Sequence, residues 1–96
     1  MPRIVYAAAA LRDLDRLRAF LHAKNPAAAR RAGEAIRSGL RILGSQPRLG
    51  RPVEGLPEPY REWVIEFGAG GYIVRYRVDG DAVTILAVRH GREAGF

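Results

Sequence analysis

Hydrophobic and polar positions change period along this chain, and the changes divide it into elements. Arg3-Ile4-Val5-Tyr6 is a short apolar segment directly after a proline and predicts a first strand. From Ala7 onward the pattern is helical: Leu11, Leu14, Leu17 and Leu21 recur at spacings of three and four, and Phe20 widens the stripe. Arg12, Asp13, Asp15, Arg16 and Arg18 take the opposite side and read as a solvated face. No Ser, Thr, Asp or Asn stands ready to cap this helix. A second helix is better marked, because Asn25 suits an N-cap and Pro26 the first turn. Its inner stripe is Ala29, Ala32, Ile36, Leu40 and Leu43, and Arg30, Glu34, Arg37 and Arg41 line the outside. The small alanines predict a tight antiparallel helical hairpin. Gly44 is expected at the left-handed C-terminal position, with Pro47 as a stop.

Residues 46–59 hold four of the six prolines together with Gly50 and Gly55, which predicts a connecting loop rather than the interior of a strand or helix. Residues 60–67 then alternate, with Trp63, Ile65 and Phe67 on one face and Glu62, Val64 and Glu66 on the other. After a Gly68-Ala69-Gly70-Gly71 turn, Tyr72, Val74, Tyr76 and Val78 share one face of a strand, and Ile73, Arg75 and Arg77 share the reverse. Asp79-Gly80-Asp81 is a hairpin-turn signal. The last strand, 83–88, is apolar on both faces, which implies a central position or a second face covered by a partner. The fold class expected is α+β, in the order β-α-α-β-β-β: a helical hairpin packed on a small, mostly antiparallel sheet, forming one domain over residues 1–96.

Composition narrows the function. There is no cysteine, and two distant histidines argue against a zinc site, so no metal or cofactor is expected. No apolar run approaches the roughly 18 residues of a membrane span, and no secretory leader is visible, so a cytoplasmic location is expected. A net charge of +6 and a pI near 10.7 favour an acidic partner: nucleic acid, an acidic protein, or both. Arginine makes up all but one of the cationic side chains, and alanine is equally abundant, so GC-rich coding and a selected guanidinium surface both remain open.

Neither a phosphate-binding glycine loop nor a nucleophile elbow occurs, and His22 reads as a half-exposed structural residue. The cluster of interest is Arg75, Arg77, Arg89, His90, Arg92 and Glu93, with Arg61 on the neighbouring strand. Two readings stay open. Arginines around a histidine suit metal-independent RNA cleavage, with His90, Arg92 and Arg61 as candidate catalytic groups. The same residues suit a basic surface that docks an acidic partner and reacts with nothing, with Arg75, Arg77, Leu86, Arg89 and Arg92 as contacts.

The order of these segments resembles the RelE/ParE family of bacterial toxins from type II toxin–antitoxin pairs. The resemblance rests on Leu11-Arg12-Asp13-Leu14, on Asn25-Pro26-Ala27-Ala28-Ala29-Arg30-Arg31, on Pro47-x-x-Gly50-Arg51-Pro52 and on Arg61-Glu62. It is completed by Gly71-Tyr72-x-x-x-Tyr76-x-Val78, the Asp79-Gly80 turn and Arg89-His90-x-Arg92-Glu93. It implies the fold above and an acidic, partly disordered antitoxin whose C-terminal segment wraps the toxin. In the ribosome-dependent nucleases of the family, an arginine follows the tyrosine of the Gly-Tyr pair, and a tail arginine precedes a tyrosine. Here Ile73 stands at the first position, Arg92 matches the second, and the sequence reaches Phe96 without that tyrosine. The resemblance is therefore closer to ParE-like toxins, which implies DNA gyrase as target. Ribosomal messenger RNA cleavage using His90 is the alternative, and a small nucleic-acid-binding domain without toxicity ranks third, because no stripe of interleaved aromatic and basic residues is present.

Overall fold

The computed structural model describes residues 3–93. Its elements are β1 (Arg3–Tyr6), α1 (Ala8–Lys24), α2 (Pro26–Ser45), β2 (Arg51–Pro52), β3 (Tyr60–Ile65), β4 (Tyr72–Asp79) and β5 (Ala82–His90). The five strands lie in the order β1-β5-β4-β3-β2, antiparallel throughout except for the parallel β1–β5 pair. Two helices packed on this mixed sheet give the α+β class expected, with one addition: Arg51–Pro52 forms a two-residue edge strand inside the proline-rich loop. Proline is tolerated there because an outer edge needs no N–H donor.

Local chemistry sets the boundaries. The helices break at Asn25, whose Oδ1 accepts from the N–H groups of Ala27 and Ala28 at 3.1 Å each, so one side chain caps α2 while its own N–H closes α1 on Leu21 O. α1 starts at Ala7 with no side-chain cap. Gly44 does not terminate α2. It lies buried within the helix, which runs to Ser45 and is capped by Gln46, and its φ is not positive. Gly80 does turn left-handed, at φ 54°, and makes the two-residue β4–β5 turn possible.

The core sits between the helices and one face of the sheet. Tyr72, Val74, Tyr76, Val83, Ile85 and Val88 from the sheet meet Leu17, Ile36, Leu40 and Leu43. A Cβ on Gly39 would come within 2.7 Å of Ile65, so this glycine lets α2 rest directly on β3. On α1 the stripe is Ala10, Leu14, Leu17 and Leu21, whereas Leu11 and Phe20 are exposed at 51% and 62%. At 100° per residue those two fall about a quarter turn from its centre, on opposite sides, which is why they stay outside. Phe20 is instead covered in part by Lys24, whose Nζ lies 4.9 Å from the ring centroid.

The two-sided apolar pattern of β5 has a structural cause. β5 is central, flanked by β1 and β4, and a bulge interrupts its pairing: Arg75 faces Ala87, Tyr76 faces Ile85, and Leu86 has no opposite residue. Buried positions accordingly switch from Val83 and Ile85 to Val88.

Candidate functional site

Beyond the end of β1, β5 continues alone against β4 and delivers the basic residues. Where β1 stops, Val88 N–H would lack a partner, and Asp13 Oδ2 from α1 accepts it at 2.9 Å. Asp13 therefore caps a strand rather than joining a solvated face. His90 pairs with Tyr72, and its ring meets the buried tyrosine edge-on, with centroids 5.5 Å apart. His90 Nδ1 accepts from the Arg92 N–H at 3.1 Å, which assigns the proton of the neutral ring to Nε2. A Cβ on Gly70 would strike this imidazole, and one on Gly91 would strike the Gly70 carbonyl, so both glycines are required for the tail to cross the β3–β4 turn.

Glu93 gathers the tail. Its Oε1 accepts from the His90 N–H at 2.7 Å, and its carboxylate receives both Arg16 Nη groups, at 2.8 and 3.4 Å. Burial works against ionisation of this carboxyl, but the His90 N–H and Arg16 outweigh it and hold the pKa below the usual 4.5. Arg89 Nη1 donates to the carbonyls of Glu93 and His90, at 2.9 and 3.3 Å. Arg92 itself is exposed. The signal for Arg16 in the sequence was only its place on a charged helix side; nothing local linked it to a residue 77 positions away.

Arg61 is elsewhere. Its side chain is only 11% exposed, and it donates to Gly50 O at 2.6 Å and to Glu58 at 3.3 Å, pinning the proline-rich loop. Tyr76 completes that clamp: its hydroxyl donates to Pro47 O at 2.7 Å and accepts the Gly50 N–H at 2.8 Å. Burial raises the Tyr76 pKa, with Gly50 N–H and Arg61 opposing. Arg61 flanks Tyr76 and His90 flanks Tyr72, four residues apart on β4, so at a rise of about 3.3 Å per residue they are separated by about 13 Å or more. Of the candidate catalytic residues, His90 and Arg92 come together and Arg61 does not.

The sheet face away from the helices carries Arg75, Arg77 and Arg89, with Ile73 opposite Arg89 and Val64 half exposed beside it. Arg75 forms a 2.6 Å ion pair with Glu62; Arg77 pairs with Asp79 at 2.6 Å and lies 5.8 Å from the Tyr60 ring. Asp79 raises the Arg77 pKa further. Leu86, in the bulge, is half-buried.

Charge is distributed unevenly between the two layers. α1 and α2 carry eight cationic and three acidic side chains, whereas the rest of the chain carries eight and seven, so +5 of the net +6 resides on the helices. A groove of about 560 Å³ opens along the helical hairpin, lined by Leu14, Leu17, Leu21, Ile36 and Leu40, with Tyr6 and Tyr72 contributing from the sheet. Arg18, Arg30 and Arg37 stand around it with Asp15, Glu34 and the exposed His22. Among the described residues no group of His, Asp or Glu side chains converges as a metal site, and no helix is long and apolar enough to cross a membrane.

Comparisons agree with this architecture. Residues 4–95 match the family described as the ParE toxin of the type II toxin–antitoxin system parDE. Two relatives from Caulobacter vibrioides are similar: Toxin RelE3, 42% identical over 84 residues and 88% of each chain, and Toxin RelE1, 34% identical over 90 residues and 94% of each. Among solved structures, the chromosomal ParDE TA system from P. aeruginosa superposes with a TM-score of 0.74 at 22% identity, covering 94% of this chain and 96% of that one. A conserved hypothetical protein from Helicobacter pylori has the same fold at a TM-score of 0.55 and 15% identity, covering 97% and 98%.

Proposed function

This chain belongs to the ParE/RelE family of type II toxins, and we propose that it arrests bacterial growth by acting on DNA gyrase in the cytoplasm and is neutralised by an acidic cognate antitoxin. The observation that carries the gyrase reading is the dispersal of the groups a ribosome-dependent nuclease would need. Ile73 offers no charge at its position, and Arg61 is spent on the proline-rich loop. His90 and Arg92 remain as a pair whose shared hydrogen bond occupies Nδ1. Removing one positioned charge-stabilising group from such a site costs on the order of 100-fold or more in rate.

The antitoxin reading draws on the helical hairpin. An amphipathic helix with an acidic side would bury its apolar ridge against Leu14, Leu17 and Leu21 and meet Arg18, Arg30 and Arg37 at the border. Its continuation over the open sheet face would reach Arg75, Arg77 and Leu86, whereas the Arg89 guanidinium is folded onto the tail carbonyls. Folding of a disordered segment onto this surface matches the paired architecture of the family.

The deciding experiment runs purified toxin in gyrase supercoiling and on programmed ribosomes side by side. Inhibited supercoiling or trapped cleaved DNA, with intact messenger, is the expected result. Position-specific messenger cleavage abolished by His90→Ala or Arg92→Ala would replace gyrase with the ribosome, the reading suggested by the RelE names of the two relatives.

A further inference from the structure

Resting on the toxin reading, we propose that Arg16 and Glu93 form a latch that positions the basic tail for contact with the target, separately from antitoxin capture. Several hydrogen bonds fold residues 89–93 on themselves: His90 N–H to Glu93, Arg92 N–H to His90, Glu93 N–H to His90 O, and Arg89 to two tail carbonyls. Such bonds give the tail a shape without fixing where it points. Arg89 and His90 stay in the ladder with β4, opposite Ile73 and Tyr72, and past the end of that strand the links outward are Gly91 N–H to Gly71 O at 3.0 Å and the Arg16 fork on the Glu93 carboxylate.

The fork closes a ring. Asp13 holds the Val88 N–H, Asp13 and Arg16 lie 3.8 Å apart one helical turn on, Arg16 holds Glu93, and Glu93 holds the His90 N–H. Both ends of segment 88–93 are thereby tied to a single turn of α1. A bidentate guanidinium–carboxylate pair fixes direction as well as distance, which one ammonium would not. Arg89, His90 and Arg92 are then presented in one arrangement before any partner arrives, and ordering cost at binding is reduced. Arg16 does not line the groove between the helices; Asp15 and Arg18 do. The antitoxin seat and the latch accordingly use different sides of α1.

The test compares the parent chain with Arg16→Ala and Arg16→Lys, each purified as the full chain. The Arg16 side chain is half exposed, so neither change opens the core. Losing the fork should speed amide exchange at Arg92 and Glu93 about three- to tenfold, with β4 amides unaltered, and Arg16→Lys should fall between. Growth arrest by Arg16→Ala should require stronger induction, while its antitoxin affinity stays within about twofold of the parent. Parental exchange and parental arrest in Arg16→Ala would overturn the latch. So would a parallel loss of antitoxin affinity and of protection throughout the sheet, which would mark Arg16 as merely structural. A parent chain that never arrests growth refutes the toxin reading instead, and tail exchange still reports whether the latch exists.

Discussion

Tyr76→Phe isolates what holds the proline-rich loop in place. The substitution removes one oxygen from a residue with no solvent exposure and leaves the ring, and therefore the packing, unchanged. Two groups lose their partner: the buried Gly50 N–H, 2.8 Å from the hydroxyl, and Pro47 O, 2.7 Å from it. The loop cannot swing out to water to recover them, because Arg61 still grips Gly50 O at 2.6 Å. A stranded buried donor or acceptor costs about 1–3 kcal/mol, so a loss of about 2 kcal/mol is expected for the pair once partial relaxation is allowed. Against the 5–10 kcal/mol typical of a small domain, that is roughly a quarter of the whole. With an m-value of about 1.3 kcal/mol/M, the urea midpoint should fall by about 1.5 M at constant m. A midpoint within about 0.3 M of the parent would refute the reasoning, since it would mean that water replaces the hydroxyl without penalty. A changed m-value would move the effect to the denatured state.

Asp13→Ala strands the Val88 N–H and should cost about 1–2 kcal/mol in urea unfolding, whereas Asp13→Asn keeps an acceptor and should cost less than half as much; equal losses would refute the strand-capping role. Because the Glu93 pKa is depressed in the folded chain, the anchoring of the tail is present in full above the ordinary value of 4.5 and is lost as pH falls through the lower folded value. The amide resonances of His90 and Glu93 should therefore shift between pH 6 and pH 3 in the parent and stay put in Glu93→Gln; a transition above pH 5 would contradict the sign. Arg30→Glu with Arg37→Glu should weaken antitoxin binding tenfold or more in a titration while growth arrest persists, and unchanged affinity would remove the groove from the antitoxin seat.

Much of the fold was readable because its signals are local. Asn25-Pro26 marks the helix break by side-chain chemistry within three residues, and β3 and β4 alternate without interruption, so Trp63 with Ile65, and Tyr72 with Val74 and Tyr76, were grouped on the shared faces that the structure turns to the core. Gly44 was misread because a glycine near a helix end resembles a C-cap, yet here burial in the helix and not dihedral freedom is what it provides. β5 looked uniformly apolar because the bulge at Leu86 shifts its phase halfway along, an event that depends on pairing with β4. The site was less legible for the same reason. The Arg16–Glu93 fork and the Asp13 cap join residues more than 70 positions apart, and Arg61 resembled a catalytic arginine until the carbonyls of its loop were placed beside it.

The uneven division of charge between helices and sheet makes this molecule an oriented electrical object. At physiological ionic strength the Debye length is about 8 Å, whereas the chain extends 39 × 28 × 23 Å. A partner drifting toward the helices therefore senses a body of charge +5 and little of the nearly neutral sheet behind it. On the proposed seat, an acidic antitoxin would be turned toward the hairpin before any side chain touches, and would arrive already facing the groove. Added salt should slow that arrival by weakening the long-range pull, while departure, governed by apolar contacts on the proposed seat, should stay largely unaltered. The helices thus act as a directional antenna, and capture of the toxin becomes a matter of speed as much as of strength.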